Sequence, residues 1–129
     1  MHDIETEADI TQLVEQFYNR VQQDGALGPI FNDVARVDWS RHIPLLVGFW
    51  SSVLLGTNTY KGNPIPPHLE VGQQTAIQPA HFEQWLRLFT STVDELFTGE
   101  RAELAKIRAQ SIATVLQTKL YAAGLLAYT

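Results

Sequence analysis

The stretch HFEQWLRLFTSTVDELFTG, residues 81–99, decides the fold class. Its large apolar residues Phe82, Trp85, Leu86, Phe89, Val93, Leu96 and Phe97 stand at offsets 0, 3, 4, 7, 11, 14 and 15. That is the period of one face of an α-helix, not the alternation of a strand. Gly99 stops the pattern. The same period recurs on both sides. Upstream, Ile10, Leu13, Val14, Phe17 and Val21 make a second stripe with Tyr18 at its edge. Asp9 reads as its N-cap, Gln12 completes a capping box, and Asp24-Gly25 ends it with glycine in the left-handed C′ position. Trp39, His42, Ile43, Leu46, Phe49, Trp50 and Val53 form a third stripe that runs to Gly56. Pro44 lies inside it and has no backbone donor, so either regular helix begins late, around residues 41 to 43, or the helix is kinked there; the late start is the expectation. Downstream, Ala105, Ala109, Ile112, Val115, Leu116 and Leu120 are expected to face inward on a last helix whose small residues permit close packing. The expectation is an all-α chain of four substantial helices.

With 129 residues, 45% of them hydrophobic, the chain suits one domain with a single core, residues 1–129. It has no cysteine, which excludes disulfides, thiolate metal sites, cysteine nucleophiles and CxxCH cofactor attachment. The opening MHDIETEADITQLV is acidic where a signal peptide would be basic, and no apolar run is long enough to span a membrane. A cytoplasmic location is expected, with no membrane association. Net charge is −5 and the nine Lys and Arg are scattered singly, so no basic stripe exists to displace counterions from a nucleic acid. There is no Walker loop, GxGxxG turn, GxSxG elbow, HExxH helix or EF-hand loop. Asp94-Glu95 and Glu100/Glu103 read as solvated helix faces.

One segment breaks the helical texture. YKGNPIPPHLEV, residues 60–71, sets Pro64, Pro66 and Pro67 immediately before His68. Prolines fix φ and bias the residues before them to extended backbone, so His68 is delivered from a rigid lead-in. From the residues alone it is either an ordinary loop histidine or a ligand. His2 lies in a terminal tail, His42 reads as a hydrogen-bonded histidine at the core edge, and His81, near Pro79, reads as a helix-capping or solvent residue. Three tryptophans and four tyrosines stand out in a small acidic chain. Tyr18, Trp50 and Trp85 lie on or beside apolar faces, and each carries one polar hydrogen that wants a partner once buried. A plain core or a ligand pocket could supply it.

Taken together, QFYNRV with Phe31 thirteen residues after Tyr18, WSRHIPLLVGFWSSVLLG, YKGNPIPPHL and HFEQWLRLFTSTVDELF resemble the truncated, two-over-two haemoglobins, and specifically their group III. The likeness covers about residues 9–120. It implies a helical sandwich around non-covalent haem b with His68 as the proximal iron ligand. On the other haem face it maps the family's ligand-binding tyrosine, histidine and tryptophan onto Tyr18, His42 and Trp85. Phe31 matches the aromatic that stacks on the porphyrin, and Phe49 and Trp50 match further pocket aromatics. Leu69, Ile77 and Phe82 are further expected cofactor contacts. Arg41, Tyr60 and Lys61 are candidates for the propionates, with exposed loop-side residues as the other reading. Leu46 stands where group I members often carry a polar residue, and the Gly-Gly motifs of group I are absent. Tyr18 and Trp85 are therefore the main expected donors, which implies slow release of O₂ and binding of NO and CO at the same site. Nitric oxide oxidation or peroxide reduction, fed by an electron-donating reductase, is the enzymatic alternative. A haem-free helical interaction domain is the alternative from another class.

Overall fold

A computed structural model of the chain describes residues 1–31, 39–57 and 77–124. Four helices make up most of it: α1 Glu7–Gln23, α2 Trp39–Leu55, α3 Pro79–Leu96 and α4 Glu100–Ala122. Helix α1 packs on α2 and on α3, α3 packs on α4, and α2 also touches α4. The all-α two-over-two sandwich expected from the periodicity and the resemblance is the observed architecture. No helix among the described residues is long and apolar enough to cross a membrane. The proline segment with Tyr60, Lys61, His68 and Leu69 lies outside the described residues.

Helix ends follow local chemistry, and several differ from expectation. Thr6, not Asp9, caps α1. The Asp9 amide donates to Thr6 Oγ1 at 3.2 Å, while the amides of Glu5 and Thr6 donate to Asp9 Oδ2 at 2.9 and 3.1 Å. Asp9 is thus the third helical residue, and its carboxylate closes a reciprocal box that Gln12 cannot reach. At the other end, Asp24 turns extended at φ −72° and ψ 137°. Its carboxylate accepts from the amides of Ala26 and Leu27 at 3.0 and 2.9 Å, so an aspartate turn ends α1 without a left-handed Gly25. The chain then doubles back. Gly28 is buried so closely that a Cβ there would lie 2.6 Å from the Gln22 carbonyl oxygen, and this approach brings Phe31 against the end of α1.

Helix α2 does not start late: it includes Trp39 and carries Pro44 within its length, giving up one backbone bond. Pro79 opens α3, and His81 accepts the Gln78 amide on Nδ1 at 3.0 Å, the capping role its position suggests. In α4, Ala102, Ala105, Ala109, Ala113, Leu116 and Leu120 are buried. Val115 is exposed rather than inward, because alanines spaced three and four apart already form the packing face.

The tail before α1 is part of the structure. Gly99, at φ +139°, is the N-cap of α4 and has no side chain to offer. Asp3 supplies the cap, accepting from the Ala102 amide on Oδ1 at 2.9 Å and the Arg101 amide on Oδ2 at 3.0 Å. The Thr98 amide donates to the His2 carbonyl, Arg101 donates to the Ile4 carbonyl, and the Ile4 side chain is fully buried.

Candidate functional site

Helix α2 carries two apolar rows where the sequence suggested one. Val47, Trp50, Ser51 and Leu54 are buried. Trp39, His42, Ile43, Leu46, Phe49 and Val53 stay half-buried. The five apolar members of the second row pack against the core while keeping surface exposed, as do Phe31, Trp85 and Leu86. A row of large apolar side chains left half-open invites a flat apolar group to cover it.

At one end of this row four rings meet. The Tyr18 ring lies 5.2 Å from Trp39, 6.0 Å from His42 and 6.3 Å from Phe31. Trp39 also stacks on Phe31 at 5.9 Å and meets His42 edge-on at 5.6 Å. Sequence reasoning had Trp39 in the stripe but not in the site; its place three residues before His42, one helical turn along the same face, was the available signal. Tyr18 is only 6% exposed. Burial pushes its phenol well above the ordinary tyrosine range, and a hydrogen-bonding interaction with the Trp85 side chain acts in the opposite sense. The indole N–H can only donate, so in that interaction it faces the Tyr18 oxygen and the phenol hydrogen is left to donate elsewhere. Tyr18 is neutral and a donor at any physiological pH.

Trp85 reaches this cluster through Phe17, whose ring lies 5.5 Å from it and 4.6 Å from Tyr18. It also stacks on Phe89 at 5.8 Å, and Phe89 stacks on Trp50 at 5.0 Å. Thus Tyr18, His42, Phe31 and Trp85 belong to one connected set of rings. Phe49 and Leu46 stand on the half-open row, whereas Trp50, 3% exposed, is a core aromatic between α2 and α3. Ile77 and Phe82 sit in a separate cluster with Ala113, Leu116 and Leu120, which Trp85 and Leu86 also touch. Arg41 is exposed. His68, Tyr60, Lys61 and Leu69, the remaining expected site residues, lie outside the described residues.

The donor set agrees with a haem pocket. A half-open apolar wall provides for a macrocycle, and two neutral donors, Tyr18 and Trp85, stand in a low-dielectric layer beside it. The ion pairs of Arg20 with Glu95, which joins α1 to α3, and of Lys106 with Asp94 and Glu103, at 2.7 and 2.9 Å, include no member of this ring set.

Comparison with known proteins agrees with this geometry. The family model described as bacterial-like globin matches residues 2–120. The chain is 35% identical over 118 residues to the group 3 truncated hemoglobin ctb of Campylobacter jejuni, an alignment covering 89% of this chain and 91% of that protein. The crystal structure of group III truncated hemoglobin from Campylobacter jejuni superimposes with a TM-score of 0.81 at 34% identity, covering 94% of this chain and 96% of that one.

Proposed function

Because this chain belongs to the bacterial-like globins, in their truncated group III, a family whose members bind small ligands at haem, we propose that it holds non-covalent haem b and retains O₂ through hydrogen bonds from Tyr18 and Trp85. The observation that carries this reading is the buried, neutral Tyr18 phenol coupled to Trp85 beside the half-open apolar row of α2. Haem supplies an Fe(II) centre that binds diatomic ligands reversibly.

The chain's own residues do the rest. Phe31, Leu46 and Phe49 offer apolar surface to the ring system, and His68 is the residue assigned to the iron by the resemblance. Ile77, Phe82 and Leu69 would close the pocket, and Arg41, Tyr60 and Lys61 would serve the propionates. Tyr18 Oη–H is the first donor for a ligand that carries negative charge, the one Trp85 Nε1–H is shared between that ligand and the Tyr18 oxygen, and His42 stands beside Tyr18. A hydrogen bond to a charged acceptor contributes about 1.5–3 kcal/mol, so each such donor slows release by about tenfold or more. Retention of this kind suits storage, sensing or chemistry on the ligand better than delivery. Nitric oxide oxidation or peroxide reduction in the cytoplasm, supported by an electron-donating reductase, draws on the same donors.

Absorption spectra of ferric, ferrous and CO-loaded protein test the reading. A Soret band that moves on reduction and on CO addition is expected, together with its loss in His68→Ala. A colourless, well-folded protein that ignores haemin would overturn the proposal in favour of a haem-free interaction domain. Steady turnover of nitric oxide or peroxide that drops in Tyr18→Phe would establish the enzymatic activity, and stoichiometric binding without turnover would exclude it.

A further inference from the structure

Trp39 is the residue around which the distal rings are assembled. It touches Tyr18, Phe31 and His42, at 5.2, 5.9 and 5.6 Å, in three different geometries: tilted by 45°, stacked at 29° and edge-on at 78°. Among these four rings His42 has only two ring neighbours, Trp39 and Tyr18. Burial is graded across the cluster, with Tyr18 enclosed and Trp39, His42 and Phe31 half-exposed. An indole in this place does more than fill volume. Aromatic pairs prefer offset, tilted or edge-to-face arrangements, so a ring held by three others fixes their mutual angles. The backbone adds to this: Trp39 and His42 share one face of α2, so the indole braces the imidazole from its own helix while contacting Tyr18 on α1. Without the indole, His42 keeps Tyr18 as its neighbour within this ring set, and the Tyr18 ring loses its contact with the first residue of α2.

We infer that Trp39 is a positioning residue for ligand retention: it holds the Tyr18 phenol and the His42 imidazole in one arrangement. This rests on the haem-ligand reading of the site, and it assigns to Trp39 a role that neither its apolar character nor its position in the stripe requires.

Trp39→Leu, which keeps apolar bulk and removes the ring, and Trp39→Phe, which keeps a ring, separate positioning from packing. In the CO-loaded ferrous protein, the C–O stretching spectrum of Trp39→Leu is expected to spread into additional bands, while Trp39→Phe stays close to the parent. O₂ dissociation should accelerate by about tenfold in Trp39→Leu, the order of effect of loosening one hydrogen-bond donor, with partial recovery in Trp39→Phe. A second readout needs no haem. Nuclear Overhauser contacts between the Tyr18 and His42 rings in the haem-free protein should be present in the parent and in Trp39→Phe and weakened in Trp39→Leu. Should Trp39→Leu fail to fold, Trp39→Met takes the same measurements. A parent protein that binds no haem overturns the functional reading, and the ring-to-ring contacts then decide Trp39 alone. Unchanged C–O bands, unchanged dissociation and preserved contacts in Trp39→Leu would overturn the inference.

Discussion

At the scale of single residues, the site rests on polar atoms placed among apolar ones. Tyr18 and Trp85 share one interaction, and the indole has only one hydrogen to give. Their effects on ligand release should therefore not add. Tyr18→Phe frees the Trp85 hydrogen for the ligand, so a double-mutant cycle on O₂ dissociation should show a coupling of at least about 0.5 kcal/mol, and strict additivity would mean that the two donors act separately. Ser51 is the opposite case. Its side chain is buried on the core face of α2, and its hydroxyl meets no hydrogen-bond partner among the described residues. Leaving a buried hydroxyl unsatisfied costs about 1–3 kcal/mol, so Ser51→Ala should raise the melting temperature by about 3–5 °C for each kcal/mol recovered, at least about 3 °C in all, read by circular dichroism. Residue types made part of this legible. Tyr18, His42, Trp85 and Phe31 could be picked from the chain because the segments that carry them resemble a known family, not because of their residue types alone. Trp39 could not, since an indole on an apolar stripe reads as core until its neighbours are known.

At the scale of elements, periodicity located the helices and local polar chemistry set their ends. The stripe on α3 was legible because seven large apolar residues repeat with little ambiguity. The single stripe assigned to α2 concealed two rows, since a hydrophobic residue buried in the core and one left half-open at its edge are of the same residue types. The local pattern puts the cap of α1 on Asp9, whereas Thr6 caps it and closes a box with Asp9; the cap of α4 comes from Asp3, distant in sequence and so not readable from the local pattern. Gly99 carries that junction. Its φ of +139° and the 2.4 Å at which a Cβ would meet Asp3 Cγ both oppose a side chain, so Gly99→Ala should destabilise the protein by about 2 kcal/mol or more in urea titration. Asp3→Ala removes the cap itself and should cost about 1–2 kcal/mol by the same measurement.

At the scale of the molecule, three carboxylates make stability depend on acid. Burial pushes Asp3 up, but backbone bonds from Arg101, Ala102 and Ile4 outweigh it and hold the carboxyl below its ordinary range. Asp9 is held low in the same way by the amides of Glu5 and Thr6, and Asp24 by the Leu27 amide, Gln84 and the Ala26 amide. Each binds fewer protons folded than unfolded, so its contribution is complete above the ordinary value of about 3.9 and is lost as pH falls through the lower folded value. Melting temperature should therefore drop on acidification below about pH 4, and less steeply in Asp3→Asn. On the proposed function, haem would act on the same balance. At a free concentration a hundredfold above its dissociation constant it should stabilise the fold by about 2.7 kcal/mol, and an unchanged melting curve would count against haem binding. The Asp3 clasp also bears on the order of events during synthesis. Asp3 leaves the ribosome 98 residues ahead of Arg101, whose amide it must meet. Asp3 and Ile4 thus dock long after they are made, and α4 gains its cap only once Arg101 and Ala102 have emerged. A nascent chain halted before residue 100 should leave Ile4 accessible to protease, and one released beyond α4 should protect it.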